Sequence, residues 1–264
     1  MKPFIFTKVC LLTCTLLFTG CSANNPTKIV IITDYGDIVL QLYDQTLQHR
    51  DNFIKLVKEG YYDGVLFHRV IKDYMIQAGD PNSKNAQPGE KLGSGSPGYT
   101  IPAEFVPKYI HKRGALAAAR TNNPMKASSG SQFYIVQGTV YNEDELDLVE
   151  IQIAQQYADQ MYYQYRREEQ ANMEKAGQTI ALDSVHLRAS RRASAWLRAN
   201  PYKIMPEDRA VYETIGGTPL LDGEFTVFGE VIQGMDVVET IINLDTDYNN
   251  RPITDVKIKK MKVK

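Results

Sequence analysis

The chain has 264 residues, 43% of them hydrophobic and 23% charged, and its formal net charge at pH 7 is −1. Because this balance leaves no excess of basic side chains, we predict no nucleic-acid partner. The histidines are scattered and no cysteine pair accompanies them, so we predict neither a metal nor another cofactor. These histidines are His49, His68, His111 and His186.

The first twenty residues have the pattern of a targeting signal. Lysines precede an apolar run over Val9–Phe18, which is too short to span a membrane because a spanning helix needs roughly 20 apolar residues. Small residues then lead directly to Cys21, a pattern typical of bacterial lipoproteins. We therefore predict a signal peptide over residues 1–20, lipid attachment at Cys21 and a polar tether over residues 21–27. The predicted location is the bacterial cell envelope, on the outer membrane and facing the periplasm. An ordinary secretory signal cleaved nearby is the alternative.

Cysteine usage agrees with export. The cysteines are Cys10, Cys14 and Cys21, so two would leave with the signal peptide and the third would carry lipid. The mature chain would then contain neither a disulfide nor a free thiol. A hydrophobic core must hold the fold, and a mature chain of about 240 residues is long enough to form one.

The segment after the tether is rich in β-formers. Lys28–Thr33 and Ile38–Tyr43 are predicted strands joined by a hairpin turn. Thr46–Glu59 has apolar residues at helical spacing, with Gly60 placed to end the helix. Strand-like runs then alternate with loops rich in glycine, proline and serine. These runs are Leu66–Ile71, Met75–Gly79, Leu116–Ala119 and Phe133–Val136.

From Asn142 the apolar spacing changes to every third or fourth residue. Asn142 and Glu145 form a capping-box pattern, which predicts a long amphipathic helix that ends before Gly177. The order β, α, β predicts one β domain over residues 28–264, interrupted by a helical insertion over residues 142–214. The remaining predicted elements are helices over Ser184–Ala199 and from Pro206, a strand over Phe225–Ile232, a helix over Met235–Leu244 and a strand over Ile253–Val263.

A set of ordered motifs carries a family resemblance. They are Tyr61-Tyr62-Asp63-Gly64, Phe67-His68-Arg69-Val70-Ile71, Met75-Ile76-Gln77-Ala78-Gly79-Asp80-Pro81, Gly114-Ala115-Leu116-Ala117-Ala118-Ala119-Arg120, Gly130-Ser131-Gln132-Phe133-Tyr134-Ile135, and Leu221-Asp222-Gly223 with Val227-Phe228-Gly229. One of them alone would be weak evidence. Together and in this order they closely resemble the motifs of cyclophilin-type peptidyl-prolyl cis/trans isomerases. The resemblance covers residues 28–140 and 218–264.

The resemblance implies a mainly β fold, namely a closed eight-stranded antiparallel barrel capped by two helices, here with the α-helical insertion. Closure would remove exposed strand edges. The resemblance also implies a catalytic role for Arg69 and a substrate groove on the outer face of the barrel. The residues that match groove or proline-pocket positions are Tyr74, Met75, Gln77, Ala119, Arg120, Gln132, Phe133, Tyr134, Leu221 and Phe225.

Two motif residues leave a choice open. Phe133 could belong to the core, and we favour a division in which Phe133 is buried and Tyr134 faces the groove. His68 could serve as an acid or base. Alternation along a strand would point His68 away from Arg69, so we predict a structural hydrogen-bonding role for it.

Some positions depart from the familiar eukaryotic pattern. Tyr74 and Tyr134 stand where phenylalanine is usual, and a tyrosine needs a partner for its hydroxyl group. The other departures are Leu220 for a tryptophan, Phe225 for a histidine and Arg120 for an asparagine. These changes bear on substrate preference and turnover more than on the type of reaction.

We therefore predict a peptidyl-prolyl cis/trans isomerase that rotates X-Pro bonds in exported proteins and assists their folding. The expected partners are proline-containing unfolded or exported polypeptides and, through the lipid, a membrane. We expect a monomer. The alternative is a non-catalytic chaperone or scaffold lipoprotein that binds proline-containing segments. Because both ends of the insertion adjoin predicted pocket residues, we expect the insertion at the rim of the groove, where it could hold clients.

Overall fold

The computed structural model describes residues 26–177 and 181–264. Its strands are β1 (Lys28–Thr33), β2 (Gly36–Leu42), β3 (Arg69–Ile71), β4 (Met75–Ala78), β5 (Thr100–Ile101), β6 (Ala115–Ala118), β7 (Ser128–Ser129), β8 (Phe133–Val136), β9 (Val227–Gln233) and β10 (Ile258–Val263). Its α-helices are α1 (Leu47–Lys58), α2 (Glu143–Lys175), α3 (Leu182–Ala199), α4 (Pro206–Thr214) and α5 (Met235–Ile242). The predicted elements are therefore present, with ends shifted by a few residues.

The elements at the start of the fold form for local reasons. Thr33 pairs with Gly36 across the β1–β2 hairpin, so Asp34 and Tyr35 make the turn. α1 ends just before Gly60, whose φ of 67° lies in the left-handed region that glycine adopts without steric cost. The predicted hairpin and helix end are confirmed.

Eight strands form one antiparallel sheet in the order β10-β1-β2-β9-β6-β8-β4-β3. The sheet curls into a half-barrel but does not close, so the prediction of a closed barrel is wrong. The edges β3 and β10 do not pair, because irregular chain lies between them. The Phe67 N–H donates to the Val256 carbonyl at 2.9 Å, and the Val70 N–H donates to the Asn250 carbonyl at 2.8 Å. Loops thus cover the edge of β3. Among the described residues, helices account for 37% and strands for 22%, so the term mainly β fits only the part outside the insertion.

The main hydrophobic core lies on the inner face of the sheet. Alternate residues of each strand point into it, as Ile29 and Ile31 do from β1 with no exposed surface. α1 and α5 pack against the same core. The ring of Phe53 in α1 makes edge contacts with Phe133 and Phe228, each with ring centroids 5.3 Å apart. Both predicted capping helices therefore contribute to the core.

The helical insertion, residues 142–214, contains α2, α3 and α4. Its first helix begins with the predicted capping box, since Asn142 Oδ1 accepts from the Glu145 N–H at 2.9 Å and Glu145 Oε2 accepts from the Asn142 N–H at 2.8 Å. α2 and α3 pack side by side and share ion pairs between Arg192 and both Glu168 and Glu169. These pairs lie at the surface, where each contributes little to stability.

The insertion is docked on the rest of the chain through a second buried cluster. Ile110 of the sheet domain packs there with insertion residues that include Leu146 and Tyr212. Tyr212 has no exposed surface, and its hydroxyl group donates to Asp222 Oδ2 at 2.5 Å. Where the chain returns, a Cβ on Gly217 would lie 2.2 Å from the His111 carbonyl oxygen, so only glycine permits this close approach.

Residues 1–20 and Cys21 lie outside the described part of the chain, so the signal peptide and the lipidation site stay predictions. Among the helices of the described residues, none has the length and apolar character needed to cross a membrane.

The docking bond generates a stability prediction. Tyr212→Phe removes the hydroxyl group that donates to Asp222, and a hydrogen bond to a charged group contributes about 1.5–3 kcal/mol. Because Asp222 is partly exposed, we expect the free energy of unfolding to fall by about 1–2 kcal/mol. Urea denaturation followed by circular dichroism measures this change.

The matched control is Tyr163→Phe in α2, because Tyr163 is 55% exposed. This control should unfold like the wild type. An unchanged free energy of unfolding for Tyr212→Phe would show that the docking bond contributes nothing.

Candidate functional site

A cleft of about 330 Å³ lies on the outer face of the sheet. It forms where β3, β4, β6 and β8 lie side by side and the turn before β9 crosses them. The alternation of β4 and β8 explains the position, since Met75 and Tyr134 point outward while Ile76 and Ile135 point into the core. The lining residues are His68, Arg69, Tyr74, Met75, Gln77, Glu90, Leu92, Gly93, Ala119, Arg120, Tyr134, Phe225, Asn249 and Arg251.

A chain of hydrogen bonds fixes the guanidinium group of Arg69. Arg69 lies directly opposite Gln77 in the β3–β4 pair, and its Nη1 donates to Gln77 Oε1 at 3.2 Å. Gln77 Nε2 donates to Gln132 Oε1 at 2.9 Å. Gln132 Nε2 in turn donates to the carbonyl oxygens of Gly93 and Gly95, at 2.9 and 2.8 Å. The guanidinium group thus keeps further N–H donors for a ligand in the cleft.

An apolar pocket adjoins the guanidinium group. Met75 and Tyr134 form its buried floor, and Phe225 meets the Tyr134 ring edge-on at 5.9 Å between centroids. The Arg120 guanidinium carbon lies 4.7 Å from the centre of the Phe225 ring, and its Nη2 pairs with Glu224 Oε2 at 3.0 Å. Arg120 therefore holds the Phe225 wall in place through a cation–π contact.

The hydroxyl group of Tyr134 has a buried partner. His111 Nε2 lies 3.0 Å from it, and Asp222 Oδ1 lies 2.8 Å from His111 Nδ1. The Asp222 carboxylate can only accept, so His111 Nδ1 carries the proton and donates to it. In a neutral imidazole Nε2 is then unprotonated and accepts a hydrogen bond from the Tyr134 hydroxyl group. Burial raises the pKa of Tyr134 well above its usual value, which keeps the phenol protonated. Since Tyr212 also donates to Asp222, one hydrogen-bonded path links the insertion to the pocket floor.

Most predicted site residues come together. The residues that line the cleft as expected are Arg69, Tyr74, Met75, Gln77, Ala119, Arg120, Tyr134 and Phe225. Gln132 borders an adjoining depression and bonds to Gln77, and Leu221 packs against the apolar cluster beneath the cleft. Leu220 points the other way and packs against the insertion.

Phe133 does not belong to the cleft. It is 1% exposed and packs edge-on against Phe53 and Tyr62 in the main core. The structure does not place Phe133 in the proline pocket, as its inclusion among the pocket residues would require, and it agrees with the favoured division, with Phe133 inside and Tyr134 outside. The reason is the alternation of β8, which sends neighbouring residues to opposite faces.

His68 also differs from its expected position. It precedes β3 instead of lying within it, so strand alternation does not apply, and it lines the cleft beside Arg69. It is 4% exposed, and neither ring nitrogen makes a hydrogen bond of normal geometry within the described residues, so the predicted structural role stays a prediction. Burial lowers the pKa of His68 to about 4, which keeps the imidazole neutral at pH 7.

The sequence motifs also missed the end of the cleft beyond His68. Glu90, Leu92, Asn249 and Arg251 come from two loops that carry no motif of their own. The glycine- and proline-rich composition of the first loop was the only available signal. In the described ranges, no group of three or more His, Cys, Asp or Glu side chains is arranged to hold a metal ion.

The lowered pKa of His68 generates a pH prediction. In the unfolded chain the His68 imidazole has its ordinary pKa of 6.5, whereas in the folded protein its pKa is about 4. The unfolded state therefore binds a proton more readily, and stability is lost as the pH falls from 6.5 to 4. The free energy of unfolding of the wild type should fall as the pH is lowered from 7.5 to 4.5. In His68→Gln this decrease should be smaller by about 2–3 kcal/mol. Urea titrations of both proteins at the two pH values measure the difference. An equal pH dependence in the two proteins would contradict it; His49, whose pKa burial also lowers, remains in both.

Comparisons with known proteins agree with this geometry. The family model for cyclophilin-type peptidyl-prolyl cis-trans isomerases matches residues 28–155 and 211–263. A protein of Staphylococcus epidermidis that bears the name of a peptidyl-prolyl cis-trans isomerase is 31% identical over 241 residues, which are 91% of this chain and 93% of that protein. A protein of Streptococcus pyogenes that is named as a bifunctional phosphatase and peptidyl-prolyl cis-trans isomerase is 31% identical over 240 residues, but these cover only 38% of it.

Solved structures show the same fold. A cyclophilin-type isomerase of Cryptosporidium parvum superposes with a TM-score of 0.53 at 21% identity, over 91% of this chain and 98% of that chain. A second crystal structure of that protein, obtained in the presence of the dipeptide Ala-Pro, gives a TM-score of 0.52. From the family match, the relatives and the fold, we conclude that the chain belongs to the cyclophilin-type peptidyl-prolyl cis-trans isomerases and is an isomerase.

Proposed function

We propose that this isomerase rotates X-Pro peptide bonds in exported polypeptides and thereby assists their folding in the cell envelope. The observation that carries the proposal is the guanidinium group of Arg69, fixed by Gln77 beside an apolar pocket of suitable character for a proline ring. The family supports the type of reaction, and the predicted targeting signal supports the choice of exported clients.

The reaction needs positioning and electrostatic stabilisation only. The barrier to rotation is about 18–20 kcal/mol, because the C–N bond has partial double-bond character. Conjugation is lost in the twisted transition state, and the prolyl nitrogen regains a lone pair. A guanidinium N–H donates to this lone pair more strongly than to the planar ground state, which lowers the barrier. No covalent bond breaks, so neither a nucleophile nor a general base is required.

Each part of the cleft has a role in this mechanism. Met75, Tyr134 and Phe225 hold the proline ring, while Gln77 keeps one amide N–H for the substrate backbone and Gln132 holds Gln77 in place. Gripping the ring on one side lets the other side of the bond turn. The hydrogen bond to Gln77 already restrains the guanidinium group, so the group loses little further conformational entropy when substrate binds.

A non-catalytic binding protein is the second candidate. The tyrosines at positions 74 and 134 favour it, because their hydroxyl groups make the pocket more polar than phenylalanine would. The bond between the Tyr134 hydroxyl group and His111 weakens this case, since it directs the polar atom away from the apolar floor. Measured turnover separates the two candidates.

Substitution of the catalytic arginine tests the mechanism. We expect Arg69→Ala to lower kcat/KM on a short X-Pro peptide at least tenfold, which corresponds to about 1.4 kcal/mol of lost transition-state stabilisation. Arg69→Lys should recover little of it, because an ammonium group lacks the planar donor geometry. NMR exchange spectroscopy or a protease-coupled assay gives the rates.

The matched control is Arg50→Ala, because Arg50 pairs with Asp44 and Asp51 at the surface and away from the cleft. It should retain wild-type activity. An inactive wild-type protein would favour the binding-protein candidate, and a folded Arg69→Ala variant with full activity would refute the mechanism.

We also propose attachment to the outer membrane by lipid at Cys21, with the fold facing the periplasm. Mass spectrometry of the native N-terminus should find an acylated cysteine, and Cys21→Ser should release the protein from the membrane fraction. Cys14→Ser is the control and should leave the protein in that fraction, since Cys14 lies within the predicted signal peptide. An unmodified N-terminus at another residue would contradict the anchor.

A further inference from the structure

A second cleft, of about 390 Å³, lies between the helical insertion and the sheet domain. We call it the insertion cleft. α2 contributes Tyr157, and the segment between α3 and α4 contributes Tyr202 and Met205. The sheet domain contributes Phe105, Tyr109 and Phe225. Phe225 also lines the first cleft, so a single side chain forms a wall common to both.

The insertion cleft has aromatic walls in fixed positions. Tyr109 stacks on Tyr43 with ring centroids 4.0 Å apart, and the rings of Tyr157 and Tyr202 lie 6.0 Å apart. Faces of aromatic rings attract cations, and the long stems of lysine and arginine pack well on apolar surface. The chain makes this contact at the cleft itself, since Lys108 Nζ lies 5.1 Å from the centre of the Tyr109 ring and Lys126 Nζ lies 5.7 Å from that of Phe105. Within the described residues, no lysine or arginine lies over the rings of Tyr157 and Tyr202, which remain for an external cation.

One of the two carboxylates that line the insertion cleft lacks a partner within the described residues. Asp208 and Asp222 both line it. Asp222 already accepts hydrogen bonds from His111 and Tyr212, whereas Asp208 has neither an ion pair nor a side-chain hydrogen bond within the described residues. Burial and the negative charges of Asp222 and Glu207 raise the pKa of Asp208, as expected for a carboxylate that lacks a cation.

The lysine that lines the insertion cleft does not supply this cation. Lys203 Nζ lies 2.5 Å from Glu150 Oε2, and the lysine side chain is 72% exposed. Its charge is therefore directed to a different carboxylate. Asp208 remains available to a positive group from outside the chain.

We propose that the insertion cleft binds a lysine or arginine side chain of the same polypeptide whose proline occupies the first cleft. The shared Phe225 wall makes a polypeptide that already lies in the first cleft the natural occupant. The carboxylates and aromatic faces select a long basic side chain among its residues. This inference rests on the proposed function and adds to it a preference for clients with a basic residue near the proline.

The test uses dye-labelled X-Pro peptides and the full mature chain. One arginine is placed in turn at each position on either side of the proline, and leucine or glutamate at the same position gives the comparison peptides. Fluorescence anisotropy gives Kd, and NMR exchange gives kcat/KM. We expect arginine at one or two positions to lower Kd about three- to tenfold relative to leucine, with glutamate the weakest of the three. The gain should shrink as ionic strength rises.

Asp208→Asn should abolish the gain from arginine and leave the binding of a short alanine-flanked X-Pro peptide unchanged. The matched control is Glu207→Gln. Glu207 lies in the same first turn of α4 as Asp208, but its side chain does not line the insertion cleft. The control should keep the gain from arginine. A purely structural role of Asp208 at the helix N-terminus would alter stability without any dependence on the charge of the peptide.

Three results would overturn the inference. They are tighter binding of leucine than of arginine at every position, tighter binding of glutamate, and an undiminished gain from arginine in Asp208→Asn. Failure of the proposed function is distinguishable, because it would appear as absent turnover of the short peptide, whereas the anisotropy measurement does not require turnover.

Discussion

The register between β4 and β8 is the constraint on which the fold and the cleft both depend. Gln77 lies opposite Tyr134, and Ala78 lies opposite Phe133. A slip of one residue would exchange the core side chains with the cleft side chains of a strand. Gly79 pins this register, because a Cβ there would lie 2.2 Å from the Ser131 carbonyl oxygen. Stability and chemistry therefore share one set of backbone hydrogen bonds.

Asp222 connects the parts of the molecule that lie outside this sheet. Its carboxylate accepts from the His111 backbone N–H and ring and from the Tyr212 hydroxyl group. His111 then bonds to Tyr134 in the pocket floor. The last helix of the insertion thereby supports the pocket floor, and the family model resumes at residue 211, just before Tyr212. The segment through which the chain re-enters the sheet domain therefore helps to support the site.

The sequence was a good guide wherever the determining interactions are local. Asn142 with Glu145 predicted the start of α2, and Gly60 predicted the end of α1. The ordered motifs predicted Arg69, Gln77 and most of the pocket, because they adjoin one another on neighbouring strands.

The errors of the sequence analysis involve contacts between distant segments. The sheet stays open because chain near Val256 meets Phe67 at the edge, and no local pattern encodes this contact. His68 was treated as a strand residue although β3 begins one residue later. His111 was passed over as a scattered histidine, since its partners lie 23 and 111 positions away in the sequence.

β10 lies at one edge of the sheet; Gly64 and Val65 exchange backbone hydrogen bonds with Ile258 at its start, and lysines predominate after it. β10 pairs with β1 on one side, and its exposed residues include Lys259, Lys260 and Lys262. An unpaired strand edge is a template for the addition of a further strand, and ammonium groups oppose it because pairing would strip them of water. An extended segment of another chain is therefore less able to pair with β10 as a ninth strand. The lysines therefore oppose edge-to-edge pairing of this strand with other extended chains.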